Sequence, residues 1–265
     1  MSHKDSLAPS QVLPLLKTKE FGRSYFYLPE TVSTNLLAGE QARKGAPHGC
    51  LVVAETQSGG RGRRGRSWVS PSGGIWMSLV LRPRMEPSRA PLQTVLAAVA
   101  LREALEGEGI KGSIKWPNDI LCSGRKVSGI LTEIQTGEEG IRHLVVGLGI
   151  NANFSGRQLP EDLQSRSGTL LDLLGRPLDR SQFLAGFLRI WEAYYRRSTQ
   201  AGYHEVLQEW RRDNCTLGRR VHLDTGTRRV TGRAVDIHQE GGLLVEEASG
   251  RRELFLAGEV TLLGE

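Results

Sequence analysis

Apolar residues recur at helical spacing in three parts of the chain. A spacing of three and four residues places them on one face of a helix, and such a face packs against a core. The first stripe ends at Gly107 and Gly109, and the second helix is predicted to begin at about Ser181. The stripes consist of Leu92, Val95, Leu96, Val99 and Leu105; of Leu184, Phe187, Leu188, Trp191 and Tyr195; and of Tyr203, Val206, Leu207 and Trp210. Their aromatic residues are therefore predicted to be core residues rather than a stacking platform.

Short apolar runs before the first helical stripe and between the first and second predict β-strands in the middle of the chain. A hairpin is predicted at Ser123-Gly124, because this turn dipeptide separates two apolar runs. The predicted strands are 51–55, 75–82, 113–116, 127–134 and 143–150. Strands gathered in the middle of the chain with helices around them favour an α+β fold.

The chain changes character after about Asp213. The turn dipeptides Thr225-Gly226, Gly241-Gly242 and Ser249-Gly250 alternate with short apolar runs. The predicted strands are 220–223, 229–238, 243–246, 252–256 and 260–263. Five short strands at this density fit a small closed barrel. We therefore predict two domains, residues 1–212 and residues 213–265.

Two shorter segments near the N-terminus also carry a structural signal. Leu13, Leu15 and Leu16 predict a short packed helix, although the sequence assigns no role to residues 1–20. The run Thr31-Val32-Ser33-Thr34-Asn35 is predicted to open a helix. Its polar residues fit either a ligand site or a simple helix cap, and the run alone does not decide between them.

Bulk properties restrict the class of protein. A chain of 265 residues can bury a good core, and its net charge of +6 suits acidic ligands without requiring nucleic acid. No apolar run approaches the ~20 residues of a membrane span and no signal core is present, so no membrane association and a cytoplasmic location are expected. Cys50, Cys122 and Cys215 are scattered, which indicates a reducing compartment. The histidines lack ligand spacing, so no structural zinc is expected.

The densest chemical signal is the run of four glycines and four arginines at residues 59–66. Glycine lets the backbone approach a ligand closely, and arginine offers planar, permanently charged donors that match carboxylate and phosphate. The run lies between two predicted strands, where a rigid sheet can hold a site. We therefore predict a pocket for a small, highly anionic ligand, namely a nucleotide together with a carboxylic acid.

Other interpretations of this run stay open on its own evidence. Gly60, Gly62 and Gly65 match the dinucleotide fingerprint, but that fingerprint requires a helix directly afterwards, and a second strand follows here. Arginine and glycine runs also bind nucleic-acid backbones without sequence preference. A solvated basic loop is the remaining interpretation.

Three further motifs place polar groups at strand ends. Lys115-Trp116-Pro117-Asn118-Asp119 gathers an amine, an amide and a carboxylate, which suit a phosphate, a nucleotide edge and Mg²⁺ respectively. Gly124-Arg125-Lys126 places a lysine at the start of a buried strand, and Val146–Asn153 ends a strand with glycines and asparagines. Taken singly, each motif also fits an ordinary turn.

In combination these segments resemble the biotin–protein ligases. T-V-S-T-N, E-T-Q-S-G-G-R-G-R-R-G-R-S-W, K-W-P-N-D, G-R-K-V-S-G-I-L and G-L-G-I-N occur in that family's order, over roughly residues 24–263. The resemblance implies a catalytic domain like that of class II aminoacyl-tRNA synthetases, with a mixed sheet flanked by helices, followed by an SH3-like barrel. It also implies that biotin and MgATP form biotinoyl-5′-AMP and pyrophosphate. The biotinyl group then passes to a lysine of a biotin carboxyl carrier domain, of acetyl-CoA carboxylase or pyruvate carboxylase.

The resemblance also implies roles for individual residues. Lys126, Arg63 and Asp119 are the candidate catalytic residues, with Asp119 either a metal ligand or a group that orients the incoming lysine. The candidate biotin-binding residues are Ser33, Thr34, Asn35, Gln57, Arg61, Gly62, Arg63, Lys126 and Gly129. The candidate ATP-binding residues are Arg63, Arg66, Lys115, Asn118 and Asn151.

Some features differ from relatives within the resemblance. Only about thirty residues precede T-V-S-T-N, which is too few for a winged-helix domain, so no specific DNA binding and no repressor role are expected. Residues 165–170 lack an aromatic residue to cover the adenine, and the planar guanidinium of Arg166 is a possible substitute. Lipoate–protein ligases are the nearest alternative, but their motif R-R-x-S-G-G-G is missing. A monomer or a weak homodimer is expected.

Overall fold

The computed structural model describes residues 5–138 and 140–263. Its helices are α1 (Pro9–Val12), α2 (Thr34–Arg43), α3 (Pro91–Gly107), α4 (Glu161–Gln164), α5 (Leu170–Leu174), α6 (Arg180–Ala201) and α7 (His204–Arg212). The strands of the first sheet are β1 (Tyr25–Thr31), β2 (Leu51–Gln57), β3 (Ile75–Leu81), β4 (Gly112–Lys115), β5 (Asp119–Cys122), β6 (Arg125–Gly137) and β7 (Gly140–Ile150). The second sheet consists of β8 (Arg220–Asp224), β9 (Arg229–Ile237), β10 (Leu243–Glu247), β11 (Arg252–Phe255) and β12 (Glu259–Leu262).

The first sheet is mixed, as predicted. Its strand order is β1-β2-β3-β7-β6-β5-β4, in which β1 and β2 are parallel and the other neighbours are antiparallel. The predicted hairpin at Ser123-Gly124 is confirmed between β5 and β6, and both turn residues have positive φ, which permits a two-residue connection. The predicted strands 127–134 and 143–150 extend further than expected, as β6 and β7.

Helices cover the two faces of this sheet unequally. Alternate residues of β2, Leu51 and Val53, point into the main core with α3 and α6, whereas Val52 points to the smaller cluster beside α2. The predicted apolar stripes of α3, α6 and α7 are buried in that main core, which confirms the helical periodicity. On the other face the short helix α2 covers only part of the sheet. The uncovered part is where the polar residues of the cavity described below collect.

The N-terminal segment and the edge strand differ from the prediction. Residues 9–15 are helical, but Leu13 and Leu15 are exposed, and the segment packs through Leu7, Val12 and Leu16 instead. The strand β1 was not predicted. It pairs with a neighbour on one side only, and its alternating half-exposed residues lack the continuous apolar run of a central strand.

The C-terminal strands form a separate antiparallel sheet with the order β11-β10-β9-β8-β12. It rests against the first part of the chain through hydrogen bonds from buried and half-buried side chains. The indole of Trp116 donates to the Gly241 carbonyl at 3.1 Å, and Arg211 donates to Asp236 at 2.7 Å. These contacts hold the second sheet beside the segment 115–119, which places β12 at the edge of the cavity.

Candidate active site

One cavity of about 610 Å³ lies on the α2 face of the first sheet. All fourteen residues singled out from the sequence line it, although they come from five separate segments of the chain. They are Ser33, Thr34, Asn35, Gln57, Arg61, Gly62, Arg63, Arg66, Lys115, Asn118, Asp119, Lys126, Gly129 and Asn151. The structure also adds residues of β12 to the lining, Glu259 to Leu262, which no motif indicated.

The end of the cavity beside α2 is polar and uncharged. The backbone N–H of Thr34 donates to the Gln57 side-chain carbonyl at 2.8 Å, and the Gln57 amide donates to Ser70 Oγ at 2.8 Å. Ser33 is the residue before the helix, but its side chain makes no capping hydrogen bond, so the competing interpretation of this run as a helix cap is not realised. The result is a preorganised wall of amide and hydroxyl groups, suited to a neutral polar ligand group.

Asn35 is held in this wall from several sides. Its Oδ1 accepts a hydrogen bond from Ser78 Oγ at 2.6 Å, and its Nδ2 donates to the Leu131 carbonyl at 3.2 Å and to Glu133 Oε2 at 2.9 Å. Its amide lies directly over Gly147, where a Cβ would be only 1.8 Å from Oδ1. The side chain therefore has its hydrogen-bonding groups occupied, and it shapes the wall as well as lining the cavity.

The arginine-rich run forms a narrow loop, residues 60–67, which we call the arginine loop. Arg61 and Ser67 form an isolated β-bridge at its neck, and the Gly62 N–H donates to the Arg66 carbonyl at 2.7 Å. Gly60 lies so close to the Trp68 carbonyl that a Cβ there would be 2.3 Å away. Close backbone approach at the neck explains why glycine occupies this position.

Arg63 and Arg66 in this loop contact the C-terminal part of the chain. Arg63 Nη1 donates to the Gly258 carbonyl at 2.8 Å and to Asn118 Oδ1 at 3.3 Å. Arg66 forms a bidentate ion pair with Glu259, in which both N···O distances are 2.6 Å. Burial lowers the pKa of the Arg63 guanidinium, and the neighbouring charge of Arg64 lowers it further, yet an arginine remains charged at neutral pH. The loop therefore presents a positive surface that is braced from the second sheet.

Lys126, near the start of β6, lines the cavity. Its Nζ is 2.6 Å from Asp119 Oδ1 and 5.0 Å from the centre of the Trp68 ring. The indole in turn rests on Gly129 and Gly149, where added Cβ atoms would be 2.9 and 2.4 Å from it. Two glycines thus make room for the aromatic ring that packs beside the lysine, and the carboxylate holds the ammonium group in place.

Two of the candidate ATP-binding residues carry side-chain amides that brace the backbone of the cavity. The amide of Asn118 donates to the Ile130 carbonyl at 2.8 Å, and the buried amide of Asn151 donates to the Gly168 carbonyl at 3.0 Å. Lys115, a third candidate, also lines the cavity.

The segment 155–168 contributes apolar side chains to the cavity, and residues 165–170 contain no aromatic residue, as noted from the sequence. Leu159 and Leu163 pack in a small cluster with Trp68, Trp76 and Phe154. Arg166 also lines the cavity, but its exposed guanidinium pairs with Asp162 at 3.1 Å. The packing of Leu159 and Leu163 connects this segment directly to the residue that follows the arginine loop.

A bound Mg²⁺ ion would find few protein ligands here. No group of three or more His, Cys, Asp or Glu side chains suited to a metal occurs within residues 5–138 and 140–263. Mg²⁺ is usually held by one or two carboxylates together with substrate phosphates and water. Asp119 fits such a role as a single carboxylate ligand, and its negative charge would interact both with the metal ion and with Lys126.

Comparisons with known proteins agree with this geometry. Residues 27–151 match the model of the biotin/lipoate A/B protein ligase family, and residues 216–263 match the model of the biotin protein ligase C-terminal domain. The bifunctional ligase/repressor BirA of Bacillus subtilis is 37% identical over 253 residues, which cover 95% of this chain and 78% of the relative. The biotin–[acetyl-CoA-carboxylase] ligase of Paracoccus denitrificans is 33% identical, over 87% of this chain and 100% of the relative.

A solved structure shows the same fold. The biotin protein ligase from Aquifex aeolicus in complex with biotin and ATP superposes with a TM-score of 0.78 at 30% identity, covering 92% of this chain and 100% of that one. In the part of the chain that the structure describes, no helix is long and apolar enough to cross a membrane. With the cavity, both domain models and full-length relatives in agreement, this chain belongs to the biotin protein ligase family.

Proposed function

We propose that the protein joins biotin to a lysine of a biotin carboxyl carrier domain in two steps at the cavity described above. First, an oxygen of the biotin carboxylate attacks the α-phosphorus of ATP, which forms biotinoyl-5′-AMP and expels pyrophosphate. Second, the amine of the acceptor lysine attacks the acyl carbon, forming an amide and releasing AMP and a proton. Activation precedes transfer because a carboxylate is a poor acyl donor at neutral pH.

The observation that carries this proposal is that two chemically different groups of residues line one cavity. Thr34 and Gln57, which are hydrogen-bonded to each other beside Ser33, offer uncharged hydrogen-bonding groups that suit the neutral ureido ring of biotin. Arg63 and Lys126, which have other partners, offer positive charges that suit a carboxylate and phosphates. A ligand that carries a neutral polar head and an anionic tail would therefore bind in one orientation.

Lys126 and the arginine loop supply charge where the first step develops it. Lys126 would contact the carboxylate and the acyl-phosphate oxygens, while Arg63 and Arg66 would help to hold the phosphates. Little covalent chemistry is required of the protein, so catalysis comes from positioning two anions and stabilising their charge. Mg²⁺ would neutralise charge on the ATP phosphates, with Asp119 as its candidate protein ligand.

Asp119 has a second candidate role in the second step. It lies 2.6 Å from Lys126, beside the position proposed for the acyl phosphate. A carboxylate at this place could orient the ammonium group of an incoming acceptor lysine. The two roles differ in when they act: metal binding affects adenylate formation, whereas lysine orientation affects only transfer.

The direct test is exchange of labelled pyrophosphate into ATP, measured with biotin and, in parallel, with lipoate. Exchange with biotin alone is the expected result, and it requires no knowledge of the acceptor. The lipoate measurement matters because the matching family model includes lipoate ligases. Exchange with lipoate alone would show that the substrate is lipoate instead of biotin. No exchange with either acid in the presence of Mg²⁺ would refute the proposal.

A nucleic-acid-binding module is disfavoured by where the positive charges lie. Arg63, Arg66 and Lys126 converge on one cavity, whereas nucleic acid requires a long basic stripe. No specific DNA binding, a cytoplasmic location and a monomer or weak homodimer stay predictions. The likeness of the catalytic domain to class II aminoacyl-tRNA synthetases, the SH3-like barrel and the boundary after residue 212 also stay predictions.

Replacement of Arg63 by glycine is expected to release the adenylate faster, by about tenfold. The change removes the charge-assisted hydrogen bonds to Asn118 and Gly258, and a tenfold effect corresponds to about 1.4 kcal/mol, roughly the contribution of one such bond. The measurement is the rate at which labelled biotinoyl-5′-AMP leaves the purified complex. Arg176→Gly, at an exposed arginine outside the cavity, is the control. Retention equal to that of the unaltered protein would contradict the proposed role of Arg63.

A further inference from the structure

The carboxylate of Glu133 connects two parts of the cavity that no sequence motif linked. Glu133 lies in β6, and its two oxygens have different partners. Oε2 accepts a hydrogen bond from Asn35 Nδ2 at 2.9 Å, whereas Oε1 pairs with Arg61 Nη1 at 3.3 Å. One oxygen therefore supports the neutral wall of the cavity, and the other holds the neck of the arginine loop.

The side chain of Arg61 contacts a different part of the protein from the side chains of the other three arginines of the loop. Arg63, Arg64 and Arg66 all contact the C-terminal sheet or the segment that precedes β12. Arg61 instead pairs with Glu133 on the first sheet. Since Arg61 also forms the β-bridge with Ser67 at the loop neck, the side-chain contact with Glu133 anchors the loop where its two strands meet.

Asn35, the partner of the other Glu133 oxygen, is held rigidly. Its side chain is 6% exposed, and the space over Gly147 leaves it no room to shift. One amide hydrogen goes to the Leu131 carbonyl and the other to Glu133. Removing the Glu133 acceptor would thus leave one N–H of the Asn35 amide without its protein partner, which costs free energy.

We propose that Glu133 is a positioning residue that couples the wall at the proposed biotin head to closure of the arginine loop. This inference rests on the proposed function. Through Oε2, Glu133 fixes the orientation of the Asn35 side chain. Through Oε1, it fixes the position of the loop neck at Arg61. The ATP-side arginines are held by other groups, so the coupling acts on biotin and on retention of the adenylate rather than on ATP.

Two substitutions distinguish the roles of the two carboxylate oxygens of Glu133. Glu133→Gln keeps a carbonyl oxygen that can accept from Asn35 but loses the ion pair, whereas Glu133→Ala loses both contacts. We expect both variants to release labelled biotinoyl-5′-AMP about two- to fivefold faster, as loss of a half-exposed ion pair implies. Only Glu133→Ala is expected to raise the KM for biotin, by about tenfold, because it alone leaves the Asn35 N–H unpaired.

The controls distinguish positioning from general damage. Glu205→Gln breaks an ion pair of similar exposure with Arg197, outside the cavity, and should release the adenylate at the unaltered rate. Arg61→Gln should release the adenylate at least as fast as Glu133→Gln, since Arg61 also lines the cavity, and the double variant should be no faster than Arg61→Gln. The KM for ATP should stay within about twofold in every variant, since a merely structural defect would move both substrates.

Three results would overturn the inference. They are a release rate of Glu133→Gln equal to that of Glu205→Gln, additive effects of Arg61→Gln and Glu133→Gln, or a KM for ATP that rises as much as the KM for biotin. The unaltered protein is measured first for formation of the adenylate from biotin and ATP. If it forms none, the proposed function fails and this inference with it; if it does, the variants test Glu133 alone.

Discussion

Lys126→Ala should reduce biotin-dependent pyrophosphate exchange by about 10²–10³-fold while leaving the fold intact. Removal of one preorganised charge donor at a reacting oxyanion has an effect of this size. The Lys126 ammonium group lies 2.6 Å from an Asp119 oxygen and over the Trp68 ring, so it is held in the cavity. The variant is assayed for exchange at saturating biotin and ATP, so that a change in binding alone is separated from a change in rate.

The matched control is Lys111→Ala, which removes an exposed lysine charge outside the cavity. It should retain full exchange activity. Circular dichroism and the thermal midpoint should be close to those of the unaltered protein for both variants. Exchange by Lys126→Ala at the unaltered rate would refute the catalytic role of this residue, whatever the other cavity residues do.

Gly147→Ala is expected to be the second most damaging change, with a loss of about 10²-fold in kcat/KM for biotin. A Cβ at this position would be 1.8 Å from Asn35 Oδ1. Asn35 cannot move aside without breaking its hydrogen bonds to Ser78, Leu131 and Glu133. Displacing a positioning group by about 1 Å can reduce a rate by about 10²-fold. Overpacking of this buried site should also lower the stability by about 1–3 kcal/mol.

Gly186→Ala provides the comparison for a glycine with space around it. This glycine lies in α6, and an added Cβ would meet no atom within 4 Å apart from the helix itself. Alanine should leave activity unchanged and raise the stability slightly, because glycine is a poor helix former. Steady-state kinetics and thermal unfolding of both variants are the measurements. Normal kinetics of Gly147→Ala would show that the wall around Asn35 tolerates displacement.

Glu259 places a carboxylate of the C-terminal sheet at the edge of the cavity. Arg66 was expected to bind ATP phosphates, and in this structure its guanidinium is paired with Glu259. A carboxylate and a phosphate make the same kind of two-pronged contact with arginine. Phosphate binding at Arg66 would therefore compete with the ion pair between Arg66 and Glu259. In that case the second sheet would influence phosphate binding.

Several elements could be predicted because their signal is local. The apolar stripe of α6 repeats at three and four residues, and burial of Leu184, Phe187 and Trp191 follows from that spacing alone. The turn at Ser123-Gly124 is equally local. The strand β1 was missed because an edge strand with half-exposed residues does not carry a continuous apolar pattern.

The sequence by itself determined the family, the three long helices, most of the strands and fourteen of the residues that line the cavity, since these depend on periodicity and on short motifs. Only the tertiary structure decided the partners of those residues. Arg66 meets Glu259 across 193 positions, and Asn35 meets Glu133 across 98. The physical reason is that a side chain's hydrogen-bond partner depends on which backbone segments the sheet order brings within about 3 Å, and local spacing along the chain carries no information about that distance.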